Sequence, residues 1–414
     1  MTSSFSWLDY SESERRKVLD VVQMFGDRET RDELGIGTVR DAFADLLFPG
    51  TSTIQTRARY FLFIPWIFSS IERRLNKTKK YDKQQIAQMA RAEEVKLIDA
   101  LATSDDNDGT IGIDARATLK RLPSNIYWQG LWVWGIRLFP SSQDQYYLSL
   151  AFHGAPRQPK KVSSDFEGDS GHQKLNWHPG IPPCPDNFPD KASFKLDEQE
   201  AEYLRERILH LIPKTLLAFL VDVGQPTEFV PFPWEHPQAG EFPSAIAELV
   251  GNARNFSESI HGAALIYNLM LARLSKNDKL IEEYDDKITE WSERIEERKG
   301  EFSSWSQKRQ RFWEIVLSQN ARIPHSTQRF INEWLDIALS KDSPGSVINN
   351  NHVLNLIRNR ERTLKKNLAR LSNRRALELW RGAAGTGQLD YRWKVTQTIL
   401  ADMHSAIFKV AKVA

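Results

Sequence analysis

A chain of 414 residues has room for two or three domains, and its 56 Lys and Arg against 54 Asp and Glu give a net charge of +2, which neither selects nor excludes a polyanionic partner. A charged fraction of 27% beside a hydrophobic fraction of 41% is the composition of a soluble globular protein and excludes disorder on a large scale. The single cysteine, Cys184, excludes an intramolecular disulfide and an all-cysteine zinc site, and it predicts a reducing, cytoplasmic setting.

The chain starts without the basic residues and apolar run of a secretory leader, and an amphipathic first helix is expected over Ser11 to Phe25, with Val18, Leu19 and Val22 on its apolar side. Leu34 to Phe68 reads as a helical hairpin. Val39, Phe43, Leu46 and Leu47 recur at helical spacing, Phe48-Pro-Gly breaks the chain, and Thr51 or Ser52 is placed to cap a second helix. Thr51, Ser52, Thr53, Gln55, Arg57 and Arg59 would then crowd the N-terminal turns of that helix. A terminus so furnished suits phosphate through its dipole and its side chains, with Gln55 as the candidate base reader. Tyr60 to Phe68 is the greasiest stretch of the chain, but it is too short to cross a bilayer and contains Pro65, so it predicts a core helix.

More helix is expected from Ile71 to Leu101, interrupted near Tyr81, with basic Lys77, Lys79 and Lys80 beside the break. Asp105 to Thr110 lacks the ligand alternation and closing Glu of a calcium loop and reads as a surface turn. Ala115 to Arg121, a Pro-Ser break, a Trp-rich helix over Tyr127 to Ile136 and a strand over Gln145 to Phe152 together suggest a winged helix. In that arrangement Lys120 and Arg121 would stand just before the turn, with Ser124 and Asn125 capping the helix after it, a place where backbone phosphates would be held. The Pro/Gly-rich stretch 154–195 reads as a connector, and the spacing of His172, His178 and Cys184 is too wide for a usual zinc site.

Helical periodicity returns over Asp197 to Leu220 and Ser244 to Leu274. Then Ile281, Tyr284, Ile288, Trp291, Ile295, Arg298, Phe302, Trp305, Arg309, Phe312 and Val316 follow at steps of three and four, a seam broken only by its two arginines. Its aromatic members favour packing on the chain's own core over a regular coiled coil. Asp278 to Glu301 carries ten acidic and five basic residues, a face that repels nucleic acid. Arg358 to Arg381 reverses this with nine basic and two acidic residues. An apolar stripe through Leu354, Ile357, Leu364, Leu368 and Leu371 leaves Arg358, Arg362, Lys365, Lys366, Arg370 and Arg374 on the opposite arc, with Arg375 beside them. Such one-sided charge is the footprint of phosphate binding; the alternatives are a solvated face, or a surface paired with the acidic helix.

No nucleophile with its base, paired-carboxylate core, HEXXH helix or dinucleotide fingerprint stands at useful spacing, and Gly382 to Gly387 lacks the ending of a Walker loop. Glu93, Glu94 and Lys96 come nearest to a nuclease-like cluster. Four stretches matter together: those beginning at Ser4 (SFSWLDYS), Gly50 (GTSTIQTRARYFLF), Lys120 (KRLPSNIYW) and Gly385 (GTGQLDYRW). They resemble an uncharacterised bacterial family classed as a domain of unknown function. That resemblance implies a setting in phage-defence gene clusters beside helicases and phospholipase-D-like nucleases, and it brings no catalytic residues.

The expected fold is mainly α: a multidomain helical protein with winged-helix-like units and a long amphipathic helix. Its expected divisions are 1–104, 105–153, 154–195 and 196–414. The expected function is that of a DNA-binding or scaffolding subunit of an anti-phage complex, non-enzymatic, without cofactor or metal and not in a membrane, with a helicase or phospholipase-D-like nuclease as possible partner. The alternatives are a metal-dependent nuclease with an unrecognised site, and a pure protein adaptor.

Overall fold

The computed structural model describes residues 32–75, 80–154, 175–340 and 344–408. The expected helix over Ser11 to Phe25, together with Lys77, Lys79 and His172, lies outside these residues. The described chain is helical, from its first helix α1 (Gly37–Leu47) to its longest, α8 (Ser244–Ser275), and its only β pairing is an isolated bridge between Arg137 and Trp177. No described helix is long and apolar enough to cross a membrane. The helices form two compact units, each assembled from stretches far apart in sequence: residues 32–43 with 251–389, and residues 44–250 with 390–408.

In the 44–250 unit, α2 (Tyr60–Arg74) is the core element, with every residue from Tyr60 to Phe68 buried. It packs against α3 (Lys83–Ala102) and α4 (Pro123–Val133). Its rings interlock with theirs and with those of the connector: Phe61 stacks on Trp134 at 3.8 Å, and Phe63 stacks on Phe188 at 5.5 Å. Gly50 makes the preceding turn at a φ of +86°, and a Cβ there would lie 2.4 Å from Trp134 Nε1, so only glycine fits. The break expected near Tyr81 is observed, and Asp82 caps α3 by accepting from Gln85 N. Arg137 is buried with no carboxylate partner among the described residues; its guanidinium lies 4.6 Å from the centroid of the Trp128 ring and donates to the carbonyls of Trp128 and Ser141. The rest of this unit is α6 (Glu198–Leu211) and α7 (Leu216–Val223), closed by α15 (Trp393–Ile407), which packs on both.

The expected strand over Gln145 to Phe152 does not form. Residues 143–153 are instead α5 (Gln143–His153), capped by Ser142 and packed on α3 through Tyr146, Tyr147 and Leu150. These buried positions follow helical spacing, whereas β-rich Tyr-Tyr-Leu composition had suggested extension. Helix in place of a wing removes the winged-helix reading of this segment, and Ala115 to Arg121 contributes only a short 3-10 turn, Arg116–Thr118.

In the 251–389 unit, the seam of Tyr284, Ile288, Trp291, Ile295, Phe302, Trp305, Phe312 and Val316 is buried, as its spacing predicts. It is carried by three successive helices, α9 (Asp278–Glu297), α10 (Lys299–Gln307) and α11 (Arg309–Gln319). The seam packs on the chain's own core: Trp291 Nε1 donates to Glu258 O at 2.8 Å, and Trp305 Nε1 donates to Asn252 Oδ1 at 2.9 Å. Arg298, one of the two polar exceptions, sits at the first helix break. It binds Glu258 and Asn255, and Arg309 binds Asp336 at 2.5 Å, so both charges meet a carboxylate in place. Helices α12 (His325–Ala338) and α13 (Asn351–Lys365) pack together in this unit.

Candidate nucleic-acid interface

The polar stretch 51–59 is not the start of a helix, because α2 begins only at Tyr60. Thr51 is buried with its hydroxyl on Phe48 O at 2.7 Å. Gln55, 2% exposed, donates to Gly50 O and accepts from Ser52 N, each at 3.1 Å, so its amide closes the Phe48-Pro-Gly turn and offers no edge to a base. Thr53 is exposed and Ser52 half-buried.

Arg57 and Arg59 are already neutralised. Arg57 Nη2 lies 2.9 Å from Asp402 and Nη1 2.9 Å from Asp106, in the acidic string 105–108 that read as a surface turn. Burial opposes the charge of Arg57, yet the hydrogen bonds to Asp106 and Asp402 outweigh it and hold its pKa above the ordinary arginine value. Arg59 pairs with buried Glu200 at 2.6 Å and donates to Ser193 O at 2.9 Å. These partners lie 141 to 345 residues away in two of the three cases, so no local pattern announces them.

At the start of α4, where a phosphate was expected, the protein's own carboxylate stands instead. Glu94 accepts from Ser124 N at 2.8 Å and from Ser124 Oγ at 2.7 Å, supplying the cap from a neighbouring helix. Its enclosure pushes its pKa up to about 7, a rise driven by desolvation and moderated by the Ser124 bonds. Lys120 and Arg121 nearby are exposed and make no ion pair among the described residues. Glu93 pairs with Arg74 and Lys96, so the nuclease-like cluster is divided between a buried cap and a surface bridge. Among the described residues no group of three His, Cys, Asp or Glu could hold a metal ion; His178 instead meets Tyr203 Oη at 3.3 Å and Arg207 Nη1 at 3.1 Å.

The basic stretch of the 251–389 unit divides sharply. The expected continuous helix stops at Lys365; Lys366, at a φ of +47°, opens a 3-10 turn, and α14 (Arg374–Glu378) is separate. One arc therefore does not carry all the cations. Lys365 and Arg370 converge on Glu33, the latter at 2.8 Å. Buried Arg360 donates to Leu34 O at 2.8 Å and to Thr327 Oγ1 at 2.8 Å. Buried Glu361 accepts from Tyr267 Oη and Arg370 N, each at 2.7 Å, and from Leu371 N at 3.0 Å, so it fixes the turn after the helix.

The others face solvent. Arg358 and Arg362 are exposed on α13, and among the described residues each bonds a neighbouring asparagine on its own helix, Asn355 and Asn359, and makes no ion pair. Lys366, Arg375 and Arg381 are exposed without an ion pair among the described residues, and Arg374, its side chain 91% exposed, has only Glu378 at 3.4 Å. Six cations thus stand at the surface between 358 and 381, with Glu378 the one exposed carboxylate among them. A further group, Lys276 and Lys279 near the start of the acidic helix α9, gives no local signal in the sequence, because Lys279 lies within the acidic run and Lys276 just before it.

The chain matches no curated protein and no solved structure. The profile of a family of unknown function, DUF6361, matches residues 2–407, nearly the whole length, and the chain belongs to that family.

Proposed function

We propose that this protein is a non-enzymatic DNA-binding or scaffolding subunit that meets the phosphate backbone through the exposed cations of residues 358–381. The observation that carries this reading is the survival of Arg358, Arg362, Lys366, Arg374, Arg375 and Arg381 at the surface after the fold has taken Arg360, Lys365 and Arg370 for its own bonds. Exposed cations of this kind suit a polyanion and impose no sequence preference by themselves. The four stretches shared with the bacterial family support placing this activity in an anti-phage complex, beside a helicase or a phospholipase-D-like nuclease.

The test is a fluorescence-anisotropy titration of duplex DNA at two salt concentrations. Contact with about four phosphates gives a log–log salt slope near −3.6. The double variant R358E/R362E lowers affinity at least tenfold and flattens the slope by about two. Salt-independent or absent binding overturns the DNA reading. The adaptor reading is favoured by one observation, the apolar pair Leu148 and Phe152 exposed one turn apart on α5.

A further inference from the structure

The start of α9 and residues 374–382 enclose a cleft of about 890 Å³ lying wholly within the 251–389 unit. Its size falls in the range of roughly 300–1,000 Å³ usual for small-molecule sites. Lys276, Lys279, Arg374 and Arg381 line it, against the carboxylates of Glu283 and Glu378. Both carboxylates are engaged, Glu283 by Lys287 at 2.6 Å and Glu378 by Arg374 at 3.4 Å. Lys276, Lys279 and Arg381 are exposed and make no ion pair among the described residues, so the cleft holds a surplus of positive charge.

One wall is aromatic and rigidly set. Trp380 Nε1 donates to Asn268 Oδ1 at 3.2 Å, and the same amide bonds Ala384 N and Ala384 O, each at 2.8 Å. Tyr284 of α9 donates to Gly382 O at 2.6 Å, which ties the two sides of the cleft together. Leu377 and the half-exposed Leu274 extend the apolar lining. Surplus cations beside a fixed indole form the two-part surface that accepts a phosphate and a base together, through charge and stacking respectively.

We propose that this cleft binds a nucleoside phosphate, either free or as the end of a nucleic-acid strand, its phosphate on Lys276, Lys279 and Arg381 and its base against Trp380. The inference deepens the nucleic-acid reading above: the cleft shares Arg374 and Arg381 with that surface and adds Lys276, Lys279 and Trp380, while Arg358 and Arg362 do not line it. Its test titrates the full chain with AMP, with a 5′-phosphorylated single-stranded hexamer and with inorganic pyrophosphate. AMP or the hexamer is expected to bind at least tenfold more tightly than pyrophosphate. The tighter of the two identifies the source, free nucleotide or strand end. The variant K276E/R381E loses at least tenfold in that affinity while its circular dichroism stays unchanged, and W380F keeps most of it. No binding of AMP or hexamer, equal binding of pyrophosphate, or indifference to K276E/R381E overturns the proposal. Loss of duplex binding in R358E/R362E with nucleotide binding intact tests the DNA reading separately.

Discussion

Arg57 and Arg59 stand in a stretch of the 44–250 unit that looks in sequence as open to phosphate as Arg358 and Arg362 do in the 251–389 unit, yet the two pairs end in opposite states. The first pair is turned inward onto Asp106, Asp402 and Glu200; the second faces solvent and, among the described residues, bonds neighbouring asparagines and no carboxylate. Residue type is the same, and what differs is whether the fold delivers a carboxylate from elsewhere. A cluster of basic residues in a sequence is therefore an inventory of charge, and only the long-range partners decide how much of it reaches the surface.

The comparison breaks first at its buried side. Arg57→Ala strands Asp402 and Asp106 without their cation and should cost about 3–5 kcal/mol of stability, read from the urea midpoint. An unchanged midpoint would mean that Arg57 is as dispensable as a surface cation. Next in size is Glu94, which occupies the helix start where a phosphate was expected. Its folded pKa of about 7 lies above the ordinary 4.5, so the fold favours the neutral acid. The stability it permits is complete below pH 4.5 and is lost as pH rises to about 7, by about 3 kcal/mol. Glu94→Gln should remove that loss, visible as a flatter curve of unfolding midpoint against pH between 4.5 and 7. The smallest effect belongs to the open side. Arg374→Ala should change stability by no more than about 0.5 kcal/mol, since its ion pair with Glu378 is solvated, while duplex affinity falls several-fold in the same anisotropy assay. A large stability loss would move Arg374 into the company of Arg57.

What could be read from the sequence was what local packing imposes. The seam from Tyr284 to Val316 was legible because a helix resting on one core must repeat its apolar side chains every three or four residues, and the mainly α class follows from several such segments. The interruption near Tyr81 and the long helix Ser244–Ser275 were legible for the same reason. Two kinds of feature were not. Tyr146, Tyr147 and Leu150 sit in a short run whose β-rich composition competes with its helical spacing, and packing on α3 settles the contest. The fates of Gln55, Arg57, Arg59, Lys365 and Arg370 depend on Gly50, Asp402, Glu200 and Glu33, and except for Gly50 no spacing rule connects them. Lys279 was hidden inside an acid-rich run and Lys276 just before it, and the two gather with Trp380 and Arg381 only after folding.

The salt bridge between Arg57 and Asp402 also sets a timetable for synthesis. Its two halves are 345 residues apart, and the whole of 251–389 is translated between them. At about 5–20 residues per second a ribosome needs roughly 20–70 s to cover that distance. Throughout that interval Arg57, beside the apolar Tyr60–Phe68 helix, has Asp106 of its own segment but not yet Asp402, which arrives with α15. The protein is thus most vulnerable to misassembly late in its production, and chaperone dependence should centre on this unit rather than on the one whose contiguous middle emerges in a single run.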